Sequence, residues 1–326
     1  MNESNEKAKL KLAIYWGAAC GGCCVSVLDI HENLFPVLEA VELVFWPIAM
    51  DIKYNDIEAM SDESIDITLY NGAIRNSENA KMAKVLRKKS KILIAYGSCA
   101  YLGGIPGLAN FSDRSSIFNR VYKESESVDN QEGLIPLTSQ TIEGLELHLP
   151  EFYNTVCLLK DIVPINYQIP GCPPQSERLV EILEAIISGA VLPPSGSVIG
   201  ARDKSQCDEC ERKKTENKKI KKIFRSHEFQ DDGETCFLEQ GVICLGPATI
   251  SGCGTRCIKG NAPCRGCYGP PPDVIDPGAK MMSAIATMID SDDPDEIASI
   301  VEEFPDPAGT FYRFSLPASL LRRKIL

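Results

Sequence analysis

Tyr15-Trp16-Gly17-Ala18-Ala19-Cys20-Gly21-Gly22-Cys23-Cys24 is the stretch on which the fold of this chain turns. It follows an apolar run, Leu12-Ala13-Ile14-Tyr15, that reads as a buried strand. After it, Val25 to Ile30 reads as the start of a helix. Cys20 and Cys23 therefore fall in a strand-to-helix turn. In an open α/β sheet ligands bind there, outside the carboxyl ends of the strands. The two glycines between the cysteines let the backbone come close to whatever the sulfurs hold. The helix start adds free N–H groups and a positive dipole end, which favour an anionic guest.

A single Cys-x-x-Cys is compatible with a thioredoxin-like redox pair or with half a zinc site. Two later strands end in the same way. Ile92 to Tyr96 runs into Gly97-Ser98-Cys99-Ala100, and Ile165 to Ile169 runs into Pro170-Gly171-Cys172-Pro173-Pro174. Cys20, Cys23, Cys99 and Cys172 lie on three strand ends and can converge on one point. Four thiolates at one point suit zinc or an iron–sulfur cluster. The plainer alternative is a set of buried cysteines acting as small hydrophobes.

Working outward, 326 residues suffice for two domains and a sizeable core. No apolar run approaches the roughly 18 residues that a membrane span needs. The polar, acidic start Met1-Asn2-Glu3-Ser4-Asn5-Glu6 has no signal-peptide core and no twin arginine, which points to the cytoplasm. A net charge of −11 speaks against nucleic acid as the main partner. Fourteen cysteines in a reducing compartment read as metal or cluster ligands, because disulfides are rare there.

From about Lys9 to Gly189 strand and helix alternate. Val41 to Trp46 and Ile65 to Tyr70 read as strands. Ser77 to Lys89 reads as a helix with basic residues in its last turn, and Gln175 to Ser188 as another, ended by Gly189. The pattern predicts an α/β domain over residues 1–192, a flavodoxin-like, doubly wound, mostly parallel sheet. Ser112 to Thr141 reads as an irregular insertion. At Leu192-Pro193-Pro194-Ser195-Gly196 the composition changes, and a loop-rich, cysteine-rich domain over 193–326 is expected beyond it. The basic run from Arg212 to Lys222 reads as a solvated helix face, or as a docking patch for an acidic partner. Two short helices are expected over Ala279–Ile289 and Asp295–Phe304.

The second domain carries eight cysteines, which divide into two sets of four. One is Cys207, Cys210, Cys236 and Cys244. The other is Cys253, Cys257, Cys264 and Cys267, in Gly-rich loops. Closely spaced cysteines in such loops suit a cubane, with zinc ribbons as the alternative. A loop-rich domain of this size has little apolar core, so its centres are expected to supply much of its stability. Cys24 and Cys157 remain over, in apolar surroundings, and read as buried thiols. His31, His148 and His227 are scattered and read as ordinary residues.

The Cys-x-x-Cys after the first strand, Gly-Ser-Cys-Ala, Gly-Cys-Pro-Pro and the cysteine-rich C-terminal part together resemble the small subunit of nickel–iron hydrogenases. The resemblance runs from Ala13 to about Pro272. It is nearest to the cytoplasmic, F420-non-reducing (methyl-viologen-reducing) subclass, whose members supply electrons to heterodisulfide reductase. It implies three 4Fe-4S clusters: a proximal one on Cys20, Cys23, Cys99 and Cys172, and one on each C-terminal set, with the Cys253–Cys267 set in the middle. It also implies a separate large subunit that holds nickel and iron, and an electron-accepting iron–sulfur subunit. This chain would then carry no catalytic residue for hydrogen splitting. Trp16, Tyr101 and Pro173 are candidate contacts with the large subunit, with ordinary core packing as the alternative for each.

Several positions depart from the family pattern. Many exported relatives use a histidine where Cys207 stands. Many lack one cysteine of the medial set, whereas Cys257 is present here, so four irons are expected. Asn71 replaces a glutamate often found before this glycine, which speaks against a carboxylate proton role there. F420-reducing relatives use an aspartate as a proximal ligand, and Asp51 sits in a comparable place as an alternative ligand or a residue just behind the ligands. A complex I-like relative would share the strand-end cysteines but lack the other eight. A structural zinc protein is the reading from another class.

Overall fold

The computed structural model describes residues 9–216 and 219–322. Its first strand, β1 (Leu10–Trp16), is covered on both faces. Leu12 and Ile14 enter one apolar core, and Ala13 and Tyr15 enter the other. A strand sends successive side chains to opposite faces, so double burial demands an unbroken apolar run. Around it stand β2 (Val41–Phe45), β3 (Ile65–Asn71), β4 (Ser90–Tyr96), β5 (Tyr167–Ile169) and β6 (Ser197–Val198). All pairings are parallel, in the spatial order β6-β5-β4-β3-β1-β2. This is the flavodoxin order with one strand added, and its winding reverses between β1 and β3. The expected doubly wound α/β sheet is therefore observed. β6 lies past Leu192, so the chain returns once to this sheet before leaving it.

Four helices frame the strand ends: α1 (Gly22–Leu28), α2 (Ser77–Lys89), α3 (Ser98–Leu102) and α4 (Ser176–Ile187). α2 matches its expected range. The Asn76 side chain caps it by accepting the Asn79 N–H at 2.8 Å, and Arg87, Lys88 and Lys89 fill its last turn.

A third core lies farther along the chain. Ile220, Phe237, Val242, Met281 and Phe311 belong to it, together with Cys236, Cys244 and Cys264. Its regular pieces from 206 to 259 are one-turn helices at Gln206–Glu209 and Arg256–Lys259, a 3-10 turn at Gly246–Ala248 and the short strand Ile250–Ser251. This is the expected loop-rich part.

Three expectations are corrected. The basic run does not form a helix among its described residues, and Lys218 lies outside them. Lys213 and Ile220 instead bridge to Thr235 and Ile289, and its charges are engaged one by one, with Lys219 and Lys221 both reaching Asp290. The 112–141 insertion contains a helix, Arg114–Asn119, and the first strand of a hairpin, Ser139–Ile142 with Leu145–His148. The C-terminal helices start earlier, at Pro277 and Pro294, and a third starts at Pro307. Each has an aspartate cap (Asp276, Asp293, Asp306) followed by proline, so the cap and not the apolar pattern sets the start. Among the described residues no helix is long and apolar enough to cross a membrane.

Candidate functional site

The turn after β1 is locked to the turn after β3. The Gly17 N–H donates to Asn71 O at 2.7 Å, and Ala18 and Ala73 exchange two bonds of 3.0 Å. This is the β1/β3 point where the winding reverses. Just beyond it the Gly22 N–H donates to Cys20 Sγ at 3.4 Å. The ends of β4 and β5 are tied to each other as well. Gly97 N–H donates to Ile169 O, and Ser98 N–H to Gly171 O, both at 2.8 Å. The Ser98 hydroxyl lies 2.8 Å from Gly171 O and 2.5 Å from Cys267 O, two acceptors for a single proton. One serine thus joins the Cys99 loop, the Cys172 loop and the Cys267 segment.

Cys20, Cys23, Cys99 and Cys172 are brought together here. Burial pushes the Cys23 thiol up, and the nearby Cys99, Cys172 and Cys20 push it further. Cys99 is pushed up to about 12 by burial and then by Cys172 and Cys20. Cys172 is raised by burial and then by Cys20. Cys23 and Cys99 are buried, whereas Cys20 and Cys172 are exposed. Two glycines hug the sulfurs. A Cβ on Gly97 would collide with Cys23 Sγ, and one on Gly104 would come within 2.5 Å of Cys99 Sγ.

Cys207, Cys210, Cys236 and Cys244 form a second neighbourhood. Cys207 is pushed up to about 12 by burial and then by Cys244 and Cys236. Cys244 is pushed up to about 11 by burial, against N–H groups of Gly246 and Cys264, with Cys236 and Cys210 adding to the rise. A Cβ on Gly246 would stand 3.1 Å from Cys207 Sγ. In the remaining set, Cys257 is raised by burial and then by Cys253. Cys267 is pushed up to about 12 by burial and then by Cys253, Cys172 and Cys257. Cys264 is raised by burial and then by Cys244, whose Sγ accepts the Cys264 N–H at 3.3 Å. Cys267 thus faces the strand-end set, and Cys264 faces the Cys207–Cys244 set.

These donors fit iron–sulfur clusters. Each set offers four thiols, two of the sets have glycines where a side chain would strike sulfur, and N–H groups aim at Cys20 and Cys244. Crowded, buried thiols stay protonated when alone, and a coordinated cation deprotonates them. Among the described residues no three Cys, His, Asp or Glu groups gather closely enough for a single ion.

Other expected residues fall elsewhere. Asp51 is exposed and paired with Lys53. Cys24 is buried in the first core and accepts an N–H from Asn71 Nδ2 at 3.3 Å. Cys157 sits on the strand Phe152–Cys157, opposite Ile74. Trp16 is 40% exposed and Pro173 is exposed. Tyr101, expected as a contact, is instead buried, against Gly269. Gln206 was not singled out in the sequence. It is buried, and its Nε2 donates to Cys253 Sγ, while Gln175 Nε2 donates to Cys253 O. No motif marks either glutamine. Position next to a candidate ligand, in Gln206-Cys207, is the one available signal.

Residues 20–186 match the family described as NADH ubiquinone oxidoreductase, 20 Kd subunit. Over 321 residues the chain is 40% identical to the iron-sulfur subunit of the F420-non-reducing hydrogenase of Archaeoglobus profundus, covering 97% of this chain and 99% of that protein. It is 38% identical over 327 residues to an F420-non-reducing hydrogenase subunit of Methanothermobacter marburgensis, covering 97% of each. Among solved structures it is similar to an H2-activated, anaerobically purified NiFeSe hydrogenase of Dm. baculatum, with a TM-score of 0.51 at 20% identity, over 82% of this chain and 97% of that one. At that identity the likeness speaks for the fold alone.

Proposed function

Since the chain belongs to the nickel–iron hydrogenase small-subunit family, in its F420-non-reducing branch, we propose that it passes electrons from hydrogen oxidation through three 4Fe-4S clusters. Such a subunit is part of an oxidoreductase without splitting hydrogen itself. What supports the reading most is one observation: Cys20, Cys23, Cys99 and Cys172 act on one another at the ends of β1, β4 and β5.

Cys20, Cys23, Cys99 and Cys172 would hold a proximal cluster, Cys253, Cys257, Cys264 and Cys267 a medial one, and Cys207, Cys210, Cys236 and Cys244 a distal one. Bound clusters supply one-electron carriers whose potentials are set by charge, hydrogen bonds to sulfur and exposure. This chain's own residues provide those controls. Gly22 and Cys264 aim N–H groups at sulfur, and Gln206 adds a side-chain donor. Burial of Cys23, Cys99, Cys236, Cys244 and Cys264 keeps water from these thiols. The Cys172/Cys267 and Cys244/Cys264 neighbourhoods favour the order proximal, medial, distal.

In this reading residues 1–192, joined by β6 (Ser197–Val198), form the flavodoxin-like unit, and the rest of 193–326 forms the unit with two further clusters. The partners are the large subunit and an electron-accepting iron–sulfur subunit linked to heterodisulfide reductase, in the cytoplasm. A complex I-like role is favoured by the name of the matching family model. The eight cysteines from 207 to 267 lie outside the matched residues 20–186 and argue for the hydrogenase reading.

Anaerobic purification from the native host with metal analysis tests the proposal. About twelve irons per chain and a co-purifying nickel protein are expected. Stoichiometric zinc with little iron would establish the structural zinc protein instead.

A further inference from the structure

A cleft of about 340 Å³ opens beside the Cys207–Cys244 set. Val242 and Ile243, which run directly into Cys244, form part of its wall, and so does Arg265, which follows Cys264. Arg225, His227 and Arg313 complete a basic lining in which Asp306 is the one acid. That aspartate is engaged in capping, since its Oδ1 accepts the Gly309 N–H at 3.0 Å.

Among the described residues none of the three arginines pairs with a carboxylate. Among the described residues the arginine ion pairs are made by Arg114, Arg178, Arg202, Arg212 and Arg256. Arg265 donates to Ser226 Oγ at 2.8 Å, and Arg313 Nε to Gly309 O at 3.0 Å. Arg265 is half-buried, and Arg313 lines the same cleft. Three guanidiniums thus line one cleft, with no carboxylate of the described residues paired to them, and an incoming carboxylate would find unengaged donors there.

We propose that this cleft receives carboxylate side chains from an acidic segment of the electron-accepting partner, seating that partner beside the Cys207/Cys210/Cys236/Cys244 set. The inference rests on the function proposed above. Guanidinium forks match carboxylates in a two-bond geometry that lysine cannot make, which suits a docking contact needing orientation as well as attraction. The rival basic surface, Lys219 and Lys221, is already occupied by Asp290 at 3.1 and 3.7 Å.

The test is calorimetric titration of hexaglutamate, and separately of inorganic phosphate, into the cluster-loaded hydrogenase complex freed of its acceptor. Hexaglutamate binds the wild type and weakens with added salt. Arg225→Gln combined with Arg313→Gln weakens it at least about tenfold, while Lys219→Gln combined with Lys221→Gln leaves it unchanged. The arginine variant keeps hydrogen-dependent viologen reduction, and it reduces the acceptor subunit with a raised KM. Unchanged peptide binding in the arginine variant overturns the proposal. So does loss in the lysine variant instead, or binding of phosphate without the peptide. Failure of the electron-transfer reading shows differently and earlier, as a purified wild-type complex that carries no clusters and no viologen activity, whereas failure of the cleft proposal shows in a complex that has both.

Discussion

Arg212 grips Asp231 with both prongs, Nη1 to Oδ1 at 2.7 Å and Nη2 to Oδ2 at 2.6 Å. The guanidinium lies 3.8 Å from the ring centroid of Phe237 and donates to Thr235 O at 2.8 Å. Phe237 follows Cys236, so the pair braces the loop that presents one thiol of the proposed distal set.

That brace has a pH signature. Arg212 holds the Asp231 carboxyl down at about 2, from an ordinary 3.8. A folded-state pKa below the unfolded one gives stability that is present above about pH 4 and lost as pH falls toward 2, about 2 kcal/mol in all. Asp231→Asn is expected to flatten the acid limb of a stability profile between those values. Asp231→Ala leaves a buried cation unpaired, at a cost of about 3–5 kcal/mol near neutral pH. Denaturant unfolding at pH 7 and pH 3 checks both, and an identical acid limb in wild type and the Asn variant would assign the loss to other groups.

Gly97 offers a cleaner test of the strand-end set. Its φ of +88° disfavours any side chain, and a Cβ there would strike Cys23 Sγ. Gly189 also has a positive φ, +73°, but nothing lies within 4 Å of its Cβ position. Gly189→Ala is expected to cost only left-handed strain, about 1–2 kcal/mol. Gly97→Ala should also displace Cys23 and lower the iron content by about four atoms per chain. Equal iron in the two variants would show that the glycine does not cradle a cluster.

Metal and fold should be linked most tightly beyond the sheet. Cys264 lies in the third core and contacts Cys244 Sγ through its N–H, whereas Cys157 is a partly exposed strand residue. Ligand binding energy at such a site becomes folding energy. Cys264→Ser is expected to open residues 200–322 to limited proteolysis, and Cys157→Ser is expected to leave the digestion pattern unchanged. Equal resistance of both variants would mean that the apolar core alone holds this part together.

Which features were legible in advance follows from their physics. Strands β1, β3 and β4 are buried on both faces and carry short apolar runs, so their signal is strong and local. α2 announces its start through the Asn76 cap and its end through three basic residues. The strand-end cysteines could be placed because each follows such a strand directly. The basic run misled because charge alone does not distinguish a solvated helix from an extended segment held by Asp290, Glu234 and Asp231. Gln206, the Ser98 bridge and the arginine cleft depend on contacts between residues far apart in the chain, 169 positions for Ser98 and Cys267. No window of sequence carries them. For Tyr101 the choice between partner contact and core packing is not local either, because the Gly269 backbone that covers it comes from the second half of the chain.

The edge carrying Cys20 and Cys172 is expected to dock the large subunit. Both cysteines are exposed, and a cluster on them would be open to solvent and oxygen. Apolar side chains are left exposed on the segments that flank Cys20: Trp16 is 40% exposed, and α1 presents Val25 and Leu28 at 54% and 53%. Aromatic and apolar groups left out in this way favour an interface over open water. Tyr101 does not belong to this surface, because it is buried already, so the 97–104 segment should change less than its neighbours. Hydrogen–deuterium exchange with and without the nickel-containing partner is the measurement. Residues 16–24 and 170–175 should gain protection, and the chain alone should show no hydrogen-dependent dye reduction. If both segments stayed unprotected in an active complex, the proximal cluster would have to face the partner by some other edge.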